Sequence, residues 1–129
     1  LFHIGFDIAF PDERGAEIGR LKKVVQKFPE LKIVAAHTGG WRMWDEVLQD
    51  IAGLDIWIET SMTLKYIEDR KIFLEILKKH PSDKIMFGTD TPWSSQLEEV
   101  NLMQEFPDIS DDLKQKIFSG NAKKLLDLQ

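Results

Sequence analysis

The 129-residue chain contains no cysteine. Disulfide bonds and thiolate metal sites are therefore excluded, and any metal ion must be held by histidine and carboxylate side chains. No apolar run approaches the roughly 20 residues that a membrane-spanning helix needs. Acidic residues outnumber basic residues by 22 to 17, and the net charge of −5 argues against nucleic acid as a partner. We therefore expect a cytoplasmic protein with neither a membrane nor a nucleic-acid partner.

Four short apolar segments predict β-strands that begin near residues 1, 32, 56 and 85. Three of them carry a metal-type ligand two residues from a glycine, namely His3, His37 and Asp90. The strand before His37 has small apolar residues without alternation, which is typical of a strand buried on both faces. The remaining segment, Ile56–Ser61, ends in hydroxyl groups. Because α/β folds bind ligands at the carboxyl ends of parallel strands, we expect these polar residues to converge there.

Apolar residues at helical spacing predict helices between the strands and after the last one. The predicted ranges are Gly15–Phe28, Trp41–Ile51, Tyr66–Lys79, Ser95–Phe106, Ser110–Gly120 and Ala122–Leu128. Ser110 is expected as an N-cap, Gly120 as a helix stop and Asn121 as a second cap. Pro81 should end the third helix. The alternation of strands and helices predicts an α/β fold with a parallel sheet and helical crossovers.

A complete (β/α)8 TIM barrel needs about 250 residues, whereas this chain has 129 residues and four predicted strands. We therefore interpret residues 1–129 as the C-terminal half of a barrel. The half-barrel would be a fragment of a longer protein or one part of a two-chain assembly. Its exposed sheet edges and apolar inner face predict association, either as a homo-oligomer or with the missing N-terminal half.

Four motifs give the chain a more specific resemblance. They are Phe2-His-Ile-Gly5, Ile33-Val-Ala-Ala-His-Thr-Gly-Gly40, Met86-Phe-Gly-Thr-Asp-Thr-Pro92 and Ile117-Phe-Ser-Gly-Asn-Ala-Lys-Lys-Leu-Leu126. As an ordered set they resemble the C-terminal half of the amidohydrolase superfamily, specifically amidohydrolase family 2, whose members are metal-dependent TIM-barrel enzymes. The resemblance covers nearly the whole chain.

The resemblance implies that the four strands are the fifth to the eighth of the barrel (β5 to α8). It implies that His3 is a metal ligand and that His37 binds a second metal or contacts substrate. It also implies that Asp90 binds metal and exchanges a proton with the attacking water. The paired first-strand histidines of the family, His-x-His, have no counterpart in this sequence. We therefore expect the 129 residues alone to be inactive.

These residue types suit metal-assisted chemistry. A divalent ion lowers the pKa of bound water and polarises a carbonyl group. Asp90 would transfer the proton, and His37 would stabilise a developing oxyanion or hold a substrate carboxylate. Gly39 and Gly40 would let the backbone approach the ligand and open a helix whose N-terminus favours an anion. Zinc is the first expectation for nitrogen and oxygen ligands, with manganese, iron and cobalt as alternatives.

Other residues near the predicted strand ends are weaker candidates for substrate binding. Trp41 and Trp93 follow site loops, where they would either line a pocket or pack against neighbours, whereas Trp44 and Trp57 fit packing positions. Thr60 and Ser61 end a strand and could contact substrate. Asp7 and Arg14 lie in the loop after His3, and Asp7 is equally a turn residue.

Two of the ligand candidates have a structural alternative, whereas local sequence alone already favours a functional role for His37. On local grounds alone His3 is an interior histidine, and Asp90 is a residue that caps the loop before Pro92. His80 lies after a helix on the opposite rim, where it is expected to act as a C-terminal cation.

The leading functional prediction is a metal-dependent hydrolase that cleaves a C–O or C–N bond of a small carbonyl compound through metal-activated water. A metal-dependent decarboxylase or hydratase of the same family is the first alternative. A half-barrel without metal, acting as a scaffold or an oligomerisation module, is the second.

Overall fold

The computed structural model describes residues 1–12 and 16–128. Its sheet is parallel, with the strands side by side in chain order. The strands are β1 (Val34–Ala35), β2 (Trp57–Glu59) and β3 (Ile85–Met86). Ile58 of the central strand lies opposite Ala35 on one side and Ile85 on the other, and all three side chains are fully buried. The predicted α/β class and parallel sheet are confirmed.

The prediction of a fourth strand near residue 1 is wrong, because this segment meets the sheet only through two isolated parallel bridges. Phe2 bridges Ala35, and Gly5 bridges Trp41. Between these two points the neighbouring chain leaves the sheet in a 3-10 turn, His37–Gly39, so no continuous ladder forms. The segment is still anchored, since Phe2 N–H donates to the Val34 carbonyl at 2.8 Å and Trp41 N–H donates to the Ile4 carbonyl at 2.6 Å.

One helix precedes the first strand, and helices follow each of the three strands. They are α1 (Ile18–Lys27), α2 (Trp44–Asp50), α3 (Thr63–Tyr66), α4 (Arg70–Lys79), α5 (Gln96–Gln104), α6 (Asp111–Gln115) and α7 (Asn121–Leu125). A second 3-10 turn, Ser82–Lys84, precedes β3. The predicted start at Gly15 lies outside the described residues. The predicted helix Tyr66–Lys79 begins four residues too early. Tyr66 is the last residue of α3, and Asp69 caps the new helix α4 by accepting a hydrogen bond from Lys71 N–H at 2.9 Å.

The C-terminal helices differ from their prediction at Gly120. Ser110 is the N-cap as expected, accepting a hydrogen bond from Leu113 N–H at 3.3 Å. Gly120 does not stop the helix, because its backbone is helical at φ −58° and ψ −45°. A π-helical turn, Lys116–Gly120, instead joins α6 directly to α7. The signal for a glycine stop fails here because glycine ends a helix only where it adopts the left-handed conformation.

Asn121 is not a cap either. Its side chain is buried inside the continuous helix, and its amide donates to the carbonyls of Ser82 at 2.9 Å and Ile85 at 2.7 Å. The C-terminal helix is thereby attached to both ends of the turn that enters β3. A sequence search for caps cannot find this role, because both acceptors lie more than thirty residues away.

The hydrophobic core lies between the sheet and the helices. Trp44 and Trp57 are buried packing residues, as predicted, and the Phe73 and Phe106 rings pack edge to face at 5.7 Å between centroids. Within the part of the chain that the structure describes, no helix has the length and apolarity required to cross a bilayer.

Replacing Asn121 by Ala is expected to lower the free energy of unfolding by about 1–3 kcal/mol, because it leaves the buried Ile85 carbonyl without this donor. Asn101→Ala, at an exposed position of α5, is the control and should change stability by less than about 0.5 kcal/mol. Urea unfolding of the two variants provides the comparison. Equal losses in both variants would contradict the structural role of the Asn121 amide.

The expectation that His80 is a cation at a helix end is also wrong. His80 is buried, it accepts a hydrogen bond from Gly53 N–H at Nδ1 (3.3 Å), and Nε2–H donates to the Ile56 carbonyl at 3.0 Å. A neutral imidazole satisfies both contacts, since Nδ1 accepts while Nε2 donates. Burial lowers the pKa of His80 to about 4 against the weaker opposing effect of the Ile56 carbonyl.

The lowered pKa of His80 predicts a loss of stability in acid. The unfolded chain takes up this proton near pH 6.5 and the folded chain only near pH 4, so the contribution is complete above pH 6.5 and is lost as the pH falls towards 4. We expect a loss of about 2–3 kcal/mol over that range. His80→Gln should flatten this part of a pH series of urea unfolding curves, and parallel curves for the two proteins would refute the assignment.

Candidate functional site

The carboxyl ends of the three parallel strands bring polar residues to one edge of the sheet. His37 follows β1 after a single residue, Glu59 is the last residue of β2, and Gly88 follows β3. The bridged segment at the N-terminus adds His3 to the same place. These short strands end where the sequence turns from apolar to polar, so the sheet itself positions the site.

The structure brings His3 and His37 together. His3 Nδ1 lies 3.0 Å from His37 Nε2, and the two ring centroids are 4.9 Å apart. Each ring is held through its other nitrogen by a backbone carbonyl, with His3 Nε2 at 2.9 Å from the Phe6 oxygen and His37 Nδ1 at 3.2 Å from the Ser61 oxygen. Because a carbonyl oxygen only accepts, both outer nitrogens carry protons, and the two inner nitrogens face each other.

In these tautomers both inner nitrogens present lone pairs, so their 3.0 Å approach suits a cation held between the two rings. The pair of rings therefore turns two lone pairs towards one electrophile. Histidines that bind metal ions commonly donate the other ring N–H to a carbonyl or carboxylate, as both do here. Two neighbouring ligands of an octahedral ion, each at about 2.1 Å, lie about 3 Å apart, which matches the separation of these nitrogens. The residues present therefore fit a divalent ion.

This fit to a divalent ion involves two protein ligands, His3 and His37. Across residues 1–12 and 16–128, no three histidine, cysteine or acidic side chains lie close enough to share an ion. Asp90, the third ligand expected from the sequence, is exposed and stands in a turn with φ +55°. Its carbonyl closes that turn by accepting from Trp93 N–H at 2.8 Å and, more weakly, from Ser94 N–H at 3.4 Å.

A buried carboxylate, Glu59, contacts the residues that hold His37 in place. It accepts three hydrogen bonds, from His37 N–H at 3.0 Å, Ser61 N–H at 2.8 Å and the Ser61 hydroxyl at 2.7 Å. The Ser61 hydroxyl oxygen is also 3.0 Å from His37 Nδ1. Burial of a carboxylate is costly unless donors compensate it, and three donors do so here. Glu59 therefore joins the loop after β1 to the loop after β2.

The predicted substrate-binding residues lie in three different environments. Trp93 is exposed, at 77% of its surface. Trp41 is buried, with its ring 5.5 Å from that of His37 and 5.0 Å from that of Tyr66. Thr60 and Ser61 are also buried. Ser61 contacts the histidine pair directly, and the Thr60 hydroxyl accepts from Gly88 N–H at 3.4 Å.

The absent side chains of Gly39 and Gly40 leave room for the core. A Cβ on Gly40 would lie 2.7 Å from the Ile18 side chain and 3.1 Å from Val47. Gly39, at φ +92°, faces Val47, Ile51 and Ile58. Close packing therefore accounts for both glycines. The following helix, α2, begins only at Trp44 and carries two acidic residues in its first turn.

The two weakest candidates are Asp7 and Arg14. Asp7 has a turn role, because its carboxylate accepts from the backbone N–H groups of Ala9 at 2.8 Å and Phe10 at 3.3 Å. Arg14 lies outside the described residues.

Sequence reasoning missed the roles of two buried acids. One is Glu59, whose value as an acceptor depends on residues in another loop. The other is Glu99 of α5, which accepts from the Ser94 hydroxyl at 2.8 Å and whose pKa burial raises. In α5 the apolar side chain of Leu97 is 70% exposed, whereas the acidic side chain of Glu99 is buried. The Ser95 cap was a usable signal for the helix, but only the tertiary contact with Ser94 identifies Glu99.

Replacing Gly88 by Ala is expected to disrupt this site, because the new Cβ would lie 1.7 Å from Glu59 Oε2. We expect a loss of about 1–3 kcal/mol in the free energy of unfolding from overpacking. Gly120→Ala is the matched control, since its Cβ would meet nothing closer than 3.8 Å in a helix, and it should be neutral or stabilising. Urea unfolding measures both, and a Gly88→Ala protein as stable as its parent would contradict the packing of Glu59 against Gly88.

Comparison with known proteins places these features in a wider context. A protein-family model described as amidohydrolase matches residues 2–128. No curated protein matches the chain. An uncharacterised TIM-barrel protein from Bordetella bronchiseptica is similar in structure, with a TM-score of 0.73 and 24% sequence identity over 84% of this chain and 38% of that chain.

Two decarboxylases of known structure are also similar. Dihydroxybenzoic acid decarboxylase from Polaromonas sp. JS666, with bound manganese and 2-nitroresorcinol, has a TM-score of 0.62 and 20% identity over 85% of this chain and 38% of that chain. The manganese complex of 5-carboxyvanillate decarboxylase from Novosphingobium aromaticivorans has a TM-score of 0.64 and 17% identity over 93% and 42%. The TM-scores show a shared fold, and the chain spans about two fifths of each protein's length.

Proposed function

This chain belongs to the amidohydrolase family, and on that basis we propose that it supplies part of the site of a metal-dependent decarboxylase of hydroxylated aromatic acids. The observation that carries the proposal is the anchored pair of His3 and His37, whose inner nitrogens lie 3.0 Å apart. Support for decarboxylation comes from the similar structures, which include decarboxylases for dihydroxybenzoate and 5-carboxyvanillate. Hydrolysis, the leading expectation from the sequence, becomes the second candidate and is favoured by the family's description.

The proposed ion is divalent, and manganese replaces zinc as the first choice because the similar decarboxylases hold manganese. His3 would bind it through Nδ1, and His37 would bind it through Nε2 or hold a substrate carboxylate. A bound divalent ion would stabilise negative charge on substrate oxygens during the reaction. Asp90 would join the site from the loop after β3 as a ligand and as the group that exchanges a proton.

The proposed proton transfer involves Asp90. As the bond between the ring and the carboxyl carbon breaks, carbon dioxide leaves and the bonding electron pair stays on the ring carbon. Asp90, in its protonated form, would donate its proton to that carbon. Exposed Trp93 would contact the ring of the substrate. Five other residues would line the region around the histidine pair, namely Gly39, Gly40, Trp41, Thr60 and Ser61.

A complete site would need further ligands from outside residues 1–129. We propose that an N-terminal half-barrel carrying the missing His-x-His pair packs against this chain. The support is that residues 1–129 span about two fifths of the length of the similar structures. The first residues offer an apolar surface for that contact, since Leu1, Phe2, Ile8 and Phe10 are exposed.

Expression of the 129 residues alone should therefore give an associating species. Sedimentation velocity over a range of concentrations should show a weight-average mass above the 14.9 kDa monomer, because the exposed apolar side chains bury one another. Adding the N-terminal half should replace this self-association by a defined complex. A compact 14.9 kDa monomer at every concentration would contradict the proposed packing.

Activity provides the direct test of the reaction. The complete protein, loaded with Mn²⁺, is expected to release carbon dioxide from 2,6-dihydroxybenzoate or 5-carboxyvanillate, and chelation should abolish this release. Asp90→Asn should reduce the rate by about 10²–10⁴-fold through loss of proton transfer. Asp108→Asn, at an exposed position away from the strand ends, is the control and should retain activity.

The outcomes separate the candidate functions. Cleavage of ester or amide substrates without carbon dioxide release would favour the hydrolase. An inactive complete protein that binds no Mn²⁺ would favour the scaffold or oligomerisation module and would overturn the decarboxylase.

A further inference from the structure

The contacts of Glu59 go beyond joining two loops. We propose that Glu59 is a positioning residue that selects the tautomer of His37 through the hydroxyl group of Ser61. The selected tautomer keeps the proton on Nδ1 and leaves the lone pair of Nε2 directed at His3. The inference deepens the proposed metal site and rests on it for its functional meaning, whereas the tautomer itself can be measured without metal.

The first step concerns the direction of the Ser61 hydroxyl group. Its oxygen lies 2.7 Å from Glu59 Oε1 and 3.0 Å from His37 Nδ1. A serine hydroxyl has one proton to donate, and the oxygens of a carboxylate only accept. The Ser61 proton is therefore directed at Glu59. The hydroxyl oxygen then has only lone pairs to offer to the imidazole.

The second step concerns His37. Its Nδ1 faces the Ser61 hydroxyl oxygen at 3.0 Å and the Ser61 carbonyl oxygen at 3.2 Å, and both act as acceptors. The neutral ring must then carry its proton on Nδ1, because two acceptors cannot satisfy a bare nitrogen lone pair. Nε2 is left as the basic nitrogen on the His3 side. This is the nitrogen that the proposed site requires for binding a cation.

The third step is the effect of replacing the carboxylate with an amide. In Glu59→Gln, one of the two oxygens becomes an NH₂ group, which cannot accept from Ser61 or from His37 N–H. An amide NH₂ facing Ser61 would donate to its hydroxyl oxygen and release the hydroxyl proton towards His37 Nδ1. The His37 proton would then move to Nε2 and remove the lone pair from the site. The variant keeps the size and shape of Glu59, so the change is one of hydrogen-bond direction.

Ser61→Ala distinguishes this relay from a simple clamp. It removes the hydroxyl but keeps the carbonyl that accepts from His37 Nδ1 and the Ser61 N–H that binds Glu59. In the Glu59→Gln/Ser61→Ala double variant, no hydroxyl remains to donate to Nδ1. The carbonyl alone should then restore the parental tautomer. A clamp that acts only through the loop backbone would gain nothing from the second substitution.

The experiment combines ¹⁵N NMR of the histidine rings, at about pH 8 without metal, above the usual imidazole pKa, with titration by Mn²⁺ alone. The parent and Ser61→Ala should show His37 protonated on Nδ1, Glu59→Gln should shift the proton to Nε2, and the double variant should return it to Nδ1. Manganese affinity of the complete protein should fall by about 10–100-fold in Glu59→Gln, a typical loss for partners of metal-binding histidines, and recover in the double variant to the level of Ser61→Ala.

Three results would overturn the relay. They are an Nε2–H tautomer in the parent, an unchanged Nδ1–H tautomer in Glu59→Gln, or a double variant no better than Glu59→Gln in both measurements. The first result needs no variant, so the proposal remains testable if Glu59→Gln fails to fold. A parent that shows the Nδ1–H tautomer but binds no Mn²⁺ when complete would refute the metal site and leave the tautomer assignment standing.

Discussion

The buried carboxylate of Glu59 is the interaction on which the arrangement of the strand ends depends. It ends the central strand and accepts from the backbone N–H of His37 and from two groups of Ser61, so the loops on its two sides are fixed relative to each other. Its position also requires a residue without a side chain at Gly88, after the third strand. An acid in this place is stable only while all its donors stay in position, and a change in any one loop is therefore felt by the others.

The histidine pair inherits its geometry from this framework. The His37 ring is held at Nδ1 by the Ser61 carbonyl and hydroxyl groups, and the His37 backbone N–H is held by Glu59. His3 belongs to a segment that touches the sheet at two isolated points, with the 3-10 turn of His37 between them. The turn that prevents a continuous fourth strand is thus the same turn that places the His37 ring against His3. Loss of regular pairing and formation of the site have one cause.

The sequence predicted those features that depend on local chemistry. The parallel strands, the Ser110 cap and the proximity expected for His3 and His37 follow from apolar runs, a hydroxyl beside a helix start and the common edge of a parallel sheet. Features that depend on distant partners were missed. Gly120 continues a helix, Asn121 binds the entrance of β3, and His80 is neutral because of burial, and none of these is encoded in the neighbouring residues.

The same distinction explains why ligands alone do not decide between hydrolysis and decarboxylation. Both reactions use a divalent ion to stabilise charge on oxygen, so both accept the same imidazole nitrogens. What this chain contributes is orientation: each ring is fixed by a carbonyl on its far side, independently of any ion. A binding site ordered in advance loses less conformational entropy when a ligand arrives. For the proposed reactions, discrimination would come from the groups that contact the substrate. Among the described site candidates, Trp93 and Asp90 are exposed.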